Sequence, residues 1–251
     1  MNMLCIQNIT KKIHSNLSLD NISINLNKNQ IIGLFGPNGS GKSSLFNIVT
    51  GLDKQDSGHI TLHLDDSEQS IDRLSLHERA QKGIGYLPQE NTLFLTLNVY
   101  ENLQAAYEIA FPNHDRSQQE RAIESIISEF QLDGVTTRTT RLLSGGEKRR
   151  VELARIVLLE PAFILLDEPF AGIDPISIEQ IKTFIIKASQ KSGILITDHQ
   201  VITTLDICDE GVILYKGKMI CSGSPQDIVA HQKVQSVYLG KHAILNSSKV
   251  D

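Results

Sequence analysis

The feature that most constrains the fold of this chain is a glycine-rich loop between a buried strand and a helix. Residues 31–35 are apolar without interruption, which is typical of a strand covered on both faces of a parallel sheet. Residues 42–50 then favour a helix that stops at Gly51. The loop matches G-x-x-x-x-G-K-[ST] and, with the next serine, comprises Gly36, Pro37, Asn38, Gly39, Ser40, Gly41, Lys42, Ser43 and Ser44.

This loop predicts a phosphate-binding site. Glycines let consecutive backbone N–H groups turn inward around a phosphate, and the start of the helix adds its positive end. Lys42 can reach the outer phosphates of a nucleotide, and the hydroxyl of Ser43 suits Mg²⁺. The alternative is a glycine-rich turn that binds nothing, and the strand, the full motif and the helix together argue against it.

Strands on either side of the loop predict an α/β fold. Residues 22–26 and 60–64 alternate apolar and polar side chains, which predicts an antiparallel sheet of half-buried strands beside the core. Residues 163–166 and 194–197 are short apolar runs, which predict further parallel strands. Between these two runs, Asp174 and the proline after it have the favoured cap and first-turn positions of a helix.

The middle of the chain has the pattern of a helical insertion. Ser75, Asn98 and Ser117 each precede a Glu by three residues, which is the spacing of a helix capping box. Residues 123–130 then repeat apolar side chains at the spacing of an amphipathic helix. We therefore predict a single domain over residues 1–245: a core with its antiparallel sheet from 1–89 and 159–245, a helical subdomain from 90–158, and a short tail at 246–251.

Two acids follow the apolar run that ends at residue 166. Asp167 is suited to hold Mg²⁺, usually through water, as the acidic partner of a phosphate loop. Glu168 is the natural group to polarise an attacking water. Seen alone, the pair could be two solvated acids at a strand end, but the phosphate loop makes that interpretation weak. Gln89 and His199 also follow predicted strands; alone, they would be a loop amide and a strand-end histidine.

The motif Leu-Ser-Gly-Gly-Glu at residues 143–147 permits two interpretations. Ser144 and Glu147 have capping-box spacing, so the motif predicts the start of a helix. That does not explain Gly145 and Gly146, because each glycine in a helix costs roughly 1 kcal/mol relative to Ala. Glycines there make room for a group that approaches the backbone closely, and a γ-phosphate at a helix N-terminus fits. The two interpretations are compatible.

Composition limits the classes of function. A formal net charge of −5 argues against a nucleic-acid surface. No apolar run approaches the roughly 18–20 residues of a membrane span, and residues 1–10 lack the layout of a signal peptide. We therefore expect a cytoplasmic protein that needs a separate subunit for any membrane work. The cysteines, Cys5, Cys208 and Cys221, are odd in number and scattered, so we predict buried thiols rather than ligands or disulfides.

In this order, the motifs resemble the nucleotide-binding subunit of ABC transporters over nearly the whole chain. The resemblance implies a P-loop NTPase fold with ATP and Mg²⁺ as ligands, and a head-to-tail homodimer. Each ATP would lie between the phosphate loop of one subunit and the signature residues of the other, Ser144, Gly145, Gly146 and Glu147. The resemblance also implies catalytic roles for Glu168, His199 and Gln89, Mg²⁺ binding by Ser43, Gln89 and Asp167, and communication between subunits through Asp174.

Residues 83–90, 142–150, 163–177 and 237–240 resemble more specifically the ATPases of lipopolysaccharide exporters. That resemblance implies two permease subunits, a peripheral place on the cytoplasmic face of the inner membrane, and a permease contact at Phe94. This chain departs from the pattern in three places. Ile13 stands where an aromatic ring usually stacks on adenine. Leu95 and Thr96 replace a basic pair that usually follows the phenylalanine, and Lys241 replaces an acid in the tail.

Two alternatives remain open for the function. One is the ATPase of another ABC system, such as branched-chain amino-acid uptake, whose subunits share this length and much of the pattern. The other is a soluble ABC ATPase that acts on ribosomes or DNA. The single cassette and the acidic net charge of −5 count against this second class.

Overall fold

The computed structural model describes residues 2–13, 16–65 and 67–239. Within these ranges the strands are β1 (Met3–Ile13), β2 (Asn16–Asn27), β3 (Ile31–Phe35), β4 (Ser57–Leu64), β5 (Ser67–Ser70), β6 (Ile84–Leu87), β7 (Phe163–Asp167), β8 (Gly193–Thr197), β9 (Glu210–Tyr215) and β10 (Lys218–Gly223). The helices are α1 (Lys42–Thr50), α2 (Leu76–Gln81), α3 (Val99–Ala110), α4 (Arg116–Glu129), α5 (Gly145–Val157), α6 (Pro175–Ser189), α7 (Val201–Leu205), α8 (Pro225–Ala230) and α9 (Gln232–Val234). None of the helices in the described ranges combines the length and apolarity needed to cross a bilayer.

A six-stranded sheet in the order β10-β9-β3-β8-β7-β6 forms the centre of the molecule, and only β10 runs antiparallel to its neighbour. In β3, Ile31 and Phe35 face a core shared with helices α3 to α6, whereas Ile32 and Leu34 face a second core around α1. Because both faces are covered, the strand is apolar throughout. The predicted parallel strands are confirmed.

The second sheet is antiparallel and lies on the far side of the α1 core. Its order is β2-β1-β4-β5, and Leu4 of β1 pairs with Leu26 of β2 and Leu62 of β4. These side chains belong to the core that also contains the apolar side of α1. The predicted antiparallel sheet is therefore confirmed, and it packs against the helix that follows the phosphate loop.

Helices α3, α4 and α5 form the insertion between β6 and β7. The predicted capping boxes at Ser75 and Asn98 are present, but the one predicted at Ser117 is wrong. The cap of α4 is Asp115, which accepts a hydrogen bond from the Gln118 N–H, while the Gln118 side chain accepts from the Asp115 N–H. Aspartate caps a helix as well as serine does, so the helix begins two residues earlier and Ser117 falls in its first turn.

The three cysteines are free thiols, and two of them are buried as predicted. Cys5 lies in β1 and Cys208 lies in the turn before β9. The prediction is wrong for Cys221, which is only partly buried. It lies in β10, the edge strand of the six-stranded sheet, where neighbouring chain covers the strand less completely. The predicted tail at residues 246–251 lies outside the described residues.

Candidate functional site

The predicted site residues follow neighbouring parallel strands. β3 leads into the phosphate loop, and β7 ends at Asp167, directly before Glu168. β8 ends two residues before His199, and β6 ends two residues before Gln89. Because β3, β8 and β7 are adjacent in that order, their carboxyl ends meet at one edge of the sheet, where open α/β sheets bind ligands. A cleft of about 640 Å³ lies there, lined by Ile13, Ser18, residues 38–44, Glu168 and His199.

The phosphate loop is held in a conformation that requires glycine at the start of α1. Gly41 has a φ of 110°, and a Cβ atom at this position would lie 2.6 Å from the carbonyl oxygen of Ser18. Without a side chain, Gly41 provides no side-chain cap for the helix. The ammonium of Lys42 donates hydrogen bonds to the Gly36 and Pro37 carbonyls, at 2.7 and 3.3 Å. The loop therefore directs a cation and a helix N-terminus toward the same cleft.

Glu168 joins the other two predicted catalytic residues. The Gln89 amide donates to Glu168 Oε2 at 2.8 Å, and His199 Nε2 lies 2.8 Å from Glu168 Oε1. The backbone of Glu168 is in the left-handed region, with a φ of 50°, and its N–H donates to the Thr197 carbonyl at 2.7 Å. One carboxylate at the edge of the cleft is thus oriented from both sides, which suits a group that polarises water.

Burial and neighbouring charge change the pKa values of two groups at the cleft. Burial is the main cause that raises the pKa of Asp167 to about 6; Glu168 raises it further, and the Lys42 ammonium opposes both. Burial also lowers the pKa of Lys42, while Glu168 and Asp167 oppose that change. A cation placed against Asp167 would favour its ionised form, and oxygen donors such as this carboxylate and the exposed Ser43 hydroxyl match the preference of Mg²⁺.

The Ser-Gly-Gly motif begins α5, as the capping interpretation predicts. The Glu147 N–H donates to Ser144 Oγ at 3.2 Å, and the Ser144 N–H donates to Glu147 Oε2 at 2.7 Å. The hydrogen bond from the Ser144 backbone is the main cause that lowers the pKa of Glu147. Ser144 is exposed and does not line the cleft of its own chain.

The two glycines of this motif lie in different surroundings. A Cβ atom on Gly146 would lie 2.3 Å from Ser177 Oγ and 2.5 Å from Ser177 Cβ, because the start of α5 packs directly on the start of α6. A Cβ atom on Gly145 would meet only Gly172 and Ile173, at the ordinary distance of 3.5 Å. The group that approaches Gly146 closely is therefore part of the same chain. Asp174 caps α6 at this contact, as predicted, by accepting from the Ser177 N–H at 3.0 Å.

Replacing Gly146 by alanine is expected to destabilise the protein by about 1–3 kcal/mol, because the new methyl overlaps Ser177. The matched variant Gly145→Ala has space for the methyl and gains helix propensity, so it should be neutral or stabilising by up to about 1 kcal/mol. Urea unfolding of both variants measures the difference. Equal effects of the two substitutions would contradict the packing account, and the double variant Gly146→Ala with Ser177→Gly should recover stability.

Arg149 connects α5, the helix that begins at the Ser-Gly-Gly motif, to the loops that carry Gln89 and Glu168, a role that we did not predict. This buried side chain donates to the carbonyls of Pro88, Gln89 and Glu168 at 3.3, 3.4 and 3.4 Å, and it pairs with Glu152 at 3.1 Å. An Arg and a Glu three residues apart would be expected on a solvated helix face. In the structure both Arg149 and Glu152 are among the buried residues of α5, so each charge requires a partner in the core, and the sequence carried no signal of this burial.

Phe94 lies apart from the cleft, on the segment that leads into α3. Its side chain is 52% exposed and that of the adjacent Leu95 is 41% exposed, so two large apolar side chains lie side by side on the surface. The backbone below them is fixed, since the Phe94 carbonyl accepts hydrogen bonds from Asn102 Nδ2 and Thr140 Oγ1 at 3.1 and 3.0 Å. Phe94 is therefore an exposed apolar side chain on a segment whose backbone is held by hydrogen bonds.

Comparison with known proteins gives matches to family models and to individual proteins. Residues 19–171 match the model of the ABC transporter family, and residues 218–244 match that of the branched-chain amino acid ATP-binding cassette transporter. The chain is 44% identical to the lipopolysaccharide export system ATP-binding protein LptB of Haemophilus influenzae, over 96% of this chain and 98% of that protein. It is 41% identical to the protein of the same name from Escherichia coli, with the same coverage.

The fold agrees with these sequence matches. The structure superposes on the ADP conformation of MJ1267, an ATP-binding cassette of an ABC transporter, with a TM-score of 0.83 and 27% identity. The superposition covers 96% of this chain and 100% of the other. Together with the arrangement of the phosphate loop, Glu168 and His199, these likenesses show that the chain belongs to the ABC transporter family of ATP-binding cassette proteins.

Proposed function

We propose that this chain is the ATP-hydrolysing subunit of a transporter that extracts lipopolysaccharide from the inner membrane for export. The observation that carries the hydrolytic part is the placement of Glu168 between Gln89 and His199 at the mouth of the phosphate-loop cleft. The cargo rests on 44% identity, over nearly the full length, to a protein named for lipopolysaccharide export.

Within the cleft, each residue has a distinct task. The glycines of the loop and the N-terminus of α1 bind the phosphates, and Lys42 leaves its carbonyl partners to contact the outer ones. Glu168 accepts a proton from the attacking water, while His199 and Gln89 hold its two carboxylate oxygens in place. Ser43, Asp167 and the Gln89 amide would hold Mg²⁺, which when bound neutralises charge on the phosphates.

The exposed signature residues favour a site that a second copy completes. Ser144 and Gly145 present the free start of α5 to solvent and do not line their own cleft. A head-to-tail homodimer places that helix N-terminus against the γ-phosphate bound by the partner subunit. Asp174 lies at the contact between α5 and α6, so a shift of α5 when the dimer closes would be transmitted to α6 through this residue.

The proposed partners are two transmembrane permease subunits, and Phe94 of each ATPase subunit is the proposed contact with a permease. This contact would keep the ATPase on the cytoplasmic face of the inner membrane. A 52% exposed aromatic on a fixed backbone is the kind of anchor that fills a pocket on a partner. No nucleic-acid partner is proposed, because the chain carries a net charge of −5.

Replacing Phe94 by alanine is expected to weaken permease binding by about 2 kcal/mol, roughly 30-fold, without changing ATP turnover of the isolated subunit. Co-purification with solubilised native membranes measures the first effect, and a phosphate-release assay the second. The matched control is Ile109→Ala, which removes a side chain that is 73% exposed on α3, outside the proposed contact. Undiminished recovery of permeases with the Phe94 variant would refute the contact.

The permeases recovered with the wild-type protein also decide the cargo. Mass spectrometry that finds lipopolysaccharide-export permeases supports the proposal. The match of residues 218–244 to the branched-chain amino acid cassette model favours a second candidate, the ATPase of that uptake system. Recovery of branched-chain amino-acid permeases would establish it instead, and sedimentation with ribosomes but never with membranes would point to a soluble ABC ATPase.

A further inference from the structure

The carboxylate of Asp198 is buried beside the catalytic cluster, and no step of the proposed reaction uses it. Asp198 is 2% exposed and stands between β8 and His199. No ion pair to it is found among residues 2–13, 16–65 and 67–239. Burying a charged group without partners is costly, so its hydrogen bonds indicate why an acid is present.

Each oxygen of Asp198 accepts one backbone hydrogen bond, and the two donors belong to different loops. The Gln200 N–H donates to Oδ1 at 2.9 Å, in the loop that carries His199. The Phe170 N–H donates to Oδ2 at 2.9 Å, two residues after Glu168. A further hydrogen bond joins the same two loops directly: Gln200 Nε2 donates to the Phe170 carbonyl at 3.5 Å.

A simpler account is that Asp198 forms a local turn before α7. A side-chain oxygen that accepts from the N–H two residues later is a common turn of Asp, and the bond to Gln200 has this form. That account explains Oδ1 only. It does not explain why Oδ2 is directed at Phe170, a residue 28 positions earlier in the chain.

The backbone of Glu168 shows why such a connection matters. Its φ of 50° is unfavourable for a residue with a side chain and persists only where surrounding contacts enforce it. The bond from the Glu168 N–H to Thr197 restrains one side of the residue, and the bond from Phe170 to Asp198 restrains the chain that leaves it. Both restraints come from the end of β8, directly before His199.

We propose that Asp198 is a positioning residue that holds Glu168 and His199 at the separation needed for hydrolysis. It acts through the backbone of their two loops and touches neither nucleotide nor water. The inference rests on the proposed ATPase activity. Because the loops are joined at one carboxylate, the loss of one acceptor there should disturb the 2.8 Å contact between Glu168 and His199.

The test is Asp198→Asn, which has nearly the same shape but keeps only one acceptor oxygen. Its amide nitrogen cannot accept, so one of the two backbone N–H groups loses its partner. We expect kcat for ATP to fall by about 10-fold to 100-fold, the scale of a lost hydrogen bond to a charged group. KM should stay within about 3-fold, because the phosphate loop is untouched.

Three further measurements separate positioning from a general loss of structure. Asp206→Asn, at an exposed acid shortly after α7, should keep wild-type turnover. Adding Asp198→Asn to Glu168→Gln should not lower turnover further and should leave ATP-dependent dimer formation intact, because Asp198 acts through Glu168. If Asp198→Asn does not fold, Asp198→Ser keeps the local turn, drops the bond to Phe170 and should show the same loss of kcat.

The outcomes distinguish this inference from the proposed function. Wild-type kcat in a folded Asp198 variant, in a protein that Glu168→Gln inactivates, would overturn the positioning role alone. A change in KM without a change in kcat, or a loss that multiplies that of Glu168→Gln, would also overturn it. A wild-type protein that does not hydrolyse ATP would overturn the proposed function itself.

Discussion

Replacing Glu168 by glutamine is expected to lower ATP turnover by about 10²-fold to 10⁴-fold while ATP still binds. Glutamine keeps the size of the side chain and one oxygen for a hydrogen bond, but its amide cannot take a proton from water. The phosphate loop and Lys42 are unchanged by the substitution, so the nucleotide is held and not consumed. We expect the variant to accumulate as an ATP-bound dimer.

Two measurements check this prediction, phosphate release at saturating ATP and the molecular mass in solution with and without ATP. The matched control is Glu160→Gln, because Glu160 is also a glutamate in the left-handed region, with a φ of 51°, and lies in the loop between α5 and β7, outside the lining of the cleft. It should behave as the wild type does. Undiminished turnover in the Glu168 variant would show that another group activates the water.

Mixing two inactive variants is expected to restore activity if each site is built from two subunits. Lys42→Ala removes the loop cation from a phosphate site, and Ser144→Arg places a bulky side chain at the start of α5. Each homodimer then has two damaged sites. A mixed dimer has one site with both defects and one with neither, because the intact loop of one subunit meets the intact signature helix of the other.

Recovery in the mixture should approach about one quarter of wild-type turnover, since half of randomly paired dimers are mixed and each has one intact site. Steady-state phosphate release over a range of mixing ratios measures it, with a maximum expected at equal amounts. Each variant mixed with itself is the control, and circular dichroism confirms that both fold. A flat response across all ratios, with both variants folded and inactive alone, would argue that the signature residues do not complete a partner's site.

Local patterns predicted the parts of the fold that depend on neighbours in sequence. The uninterrupted apolar run at 31–35 became β3, and Ser144 with Glu147 formed the capping box of α5. The capping prediction at Ser117 failed because Asp115 offered an equally good cap two residues earlier. A short sequence pattern indicates which side chains can cap a helix, but it does not show which of two neighbouring candidates will do so.

Contacts between distant residues explain what the sequence did not reveal. The glycine pair of the signature was predicted to make room for a phosphate, and the structure adds a packing reason for Gly146, because a Cβ there would overlap Ser177 on α6. Arg149 and Asp198 look like ordinary surface charges in sequence, although both are buried and bind backbone groups of the catalytic loops. No short pattern records which helix will pack against which.

The sequence by itself determined the phosphate loop, the acids at the end of β7 and the alternation of buried strands and capped helices. Those features arise from interactions over a few residues, so their spacing is visible in the chain. Only the tertiary structure brought Gln89 and His199 onto the two oxygens of Glu168, across 79 and 31 residues of sequence. That geometry follows from the order of β8, β7 and β6 in the sheet, because adjacent parallel strands end at a common edge.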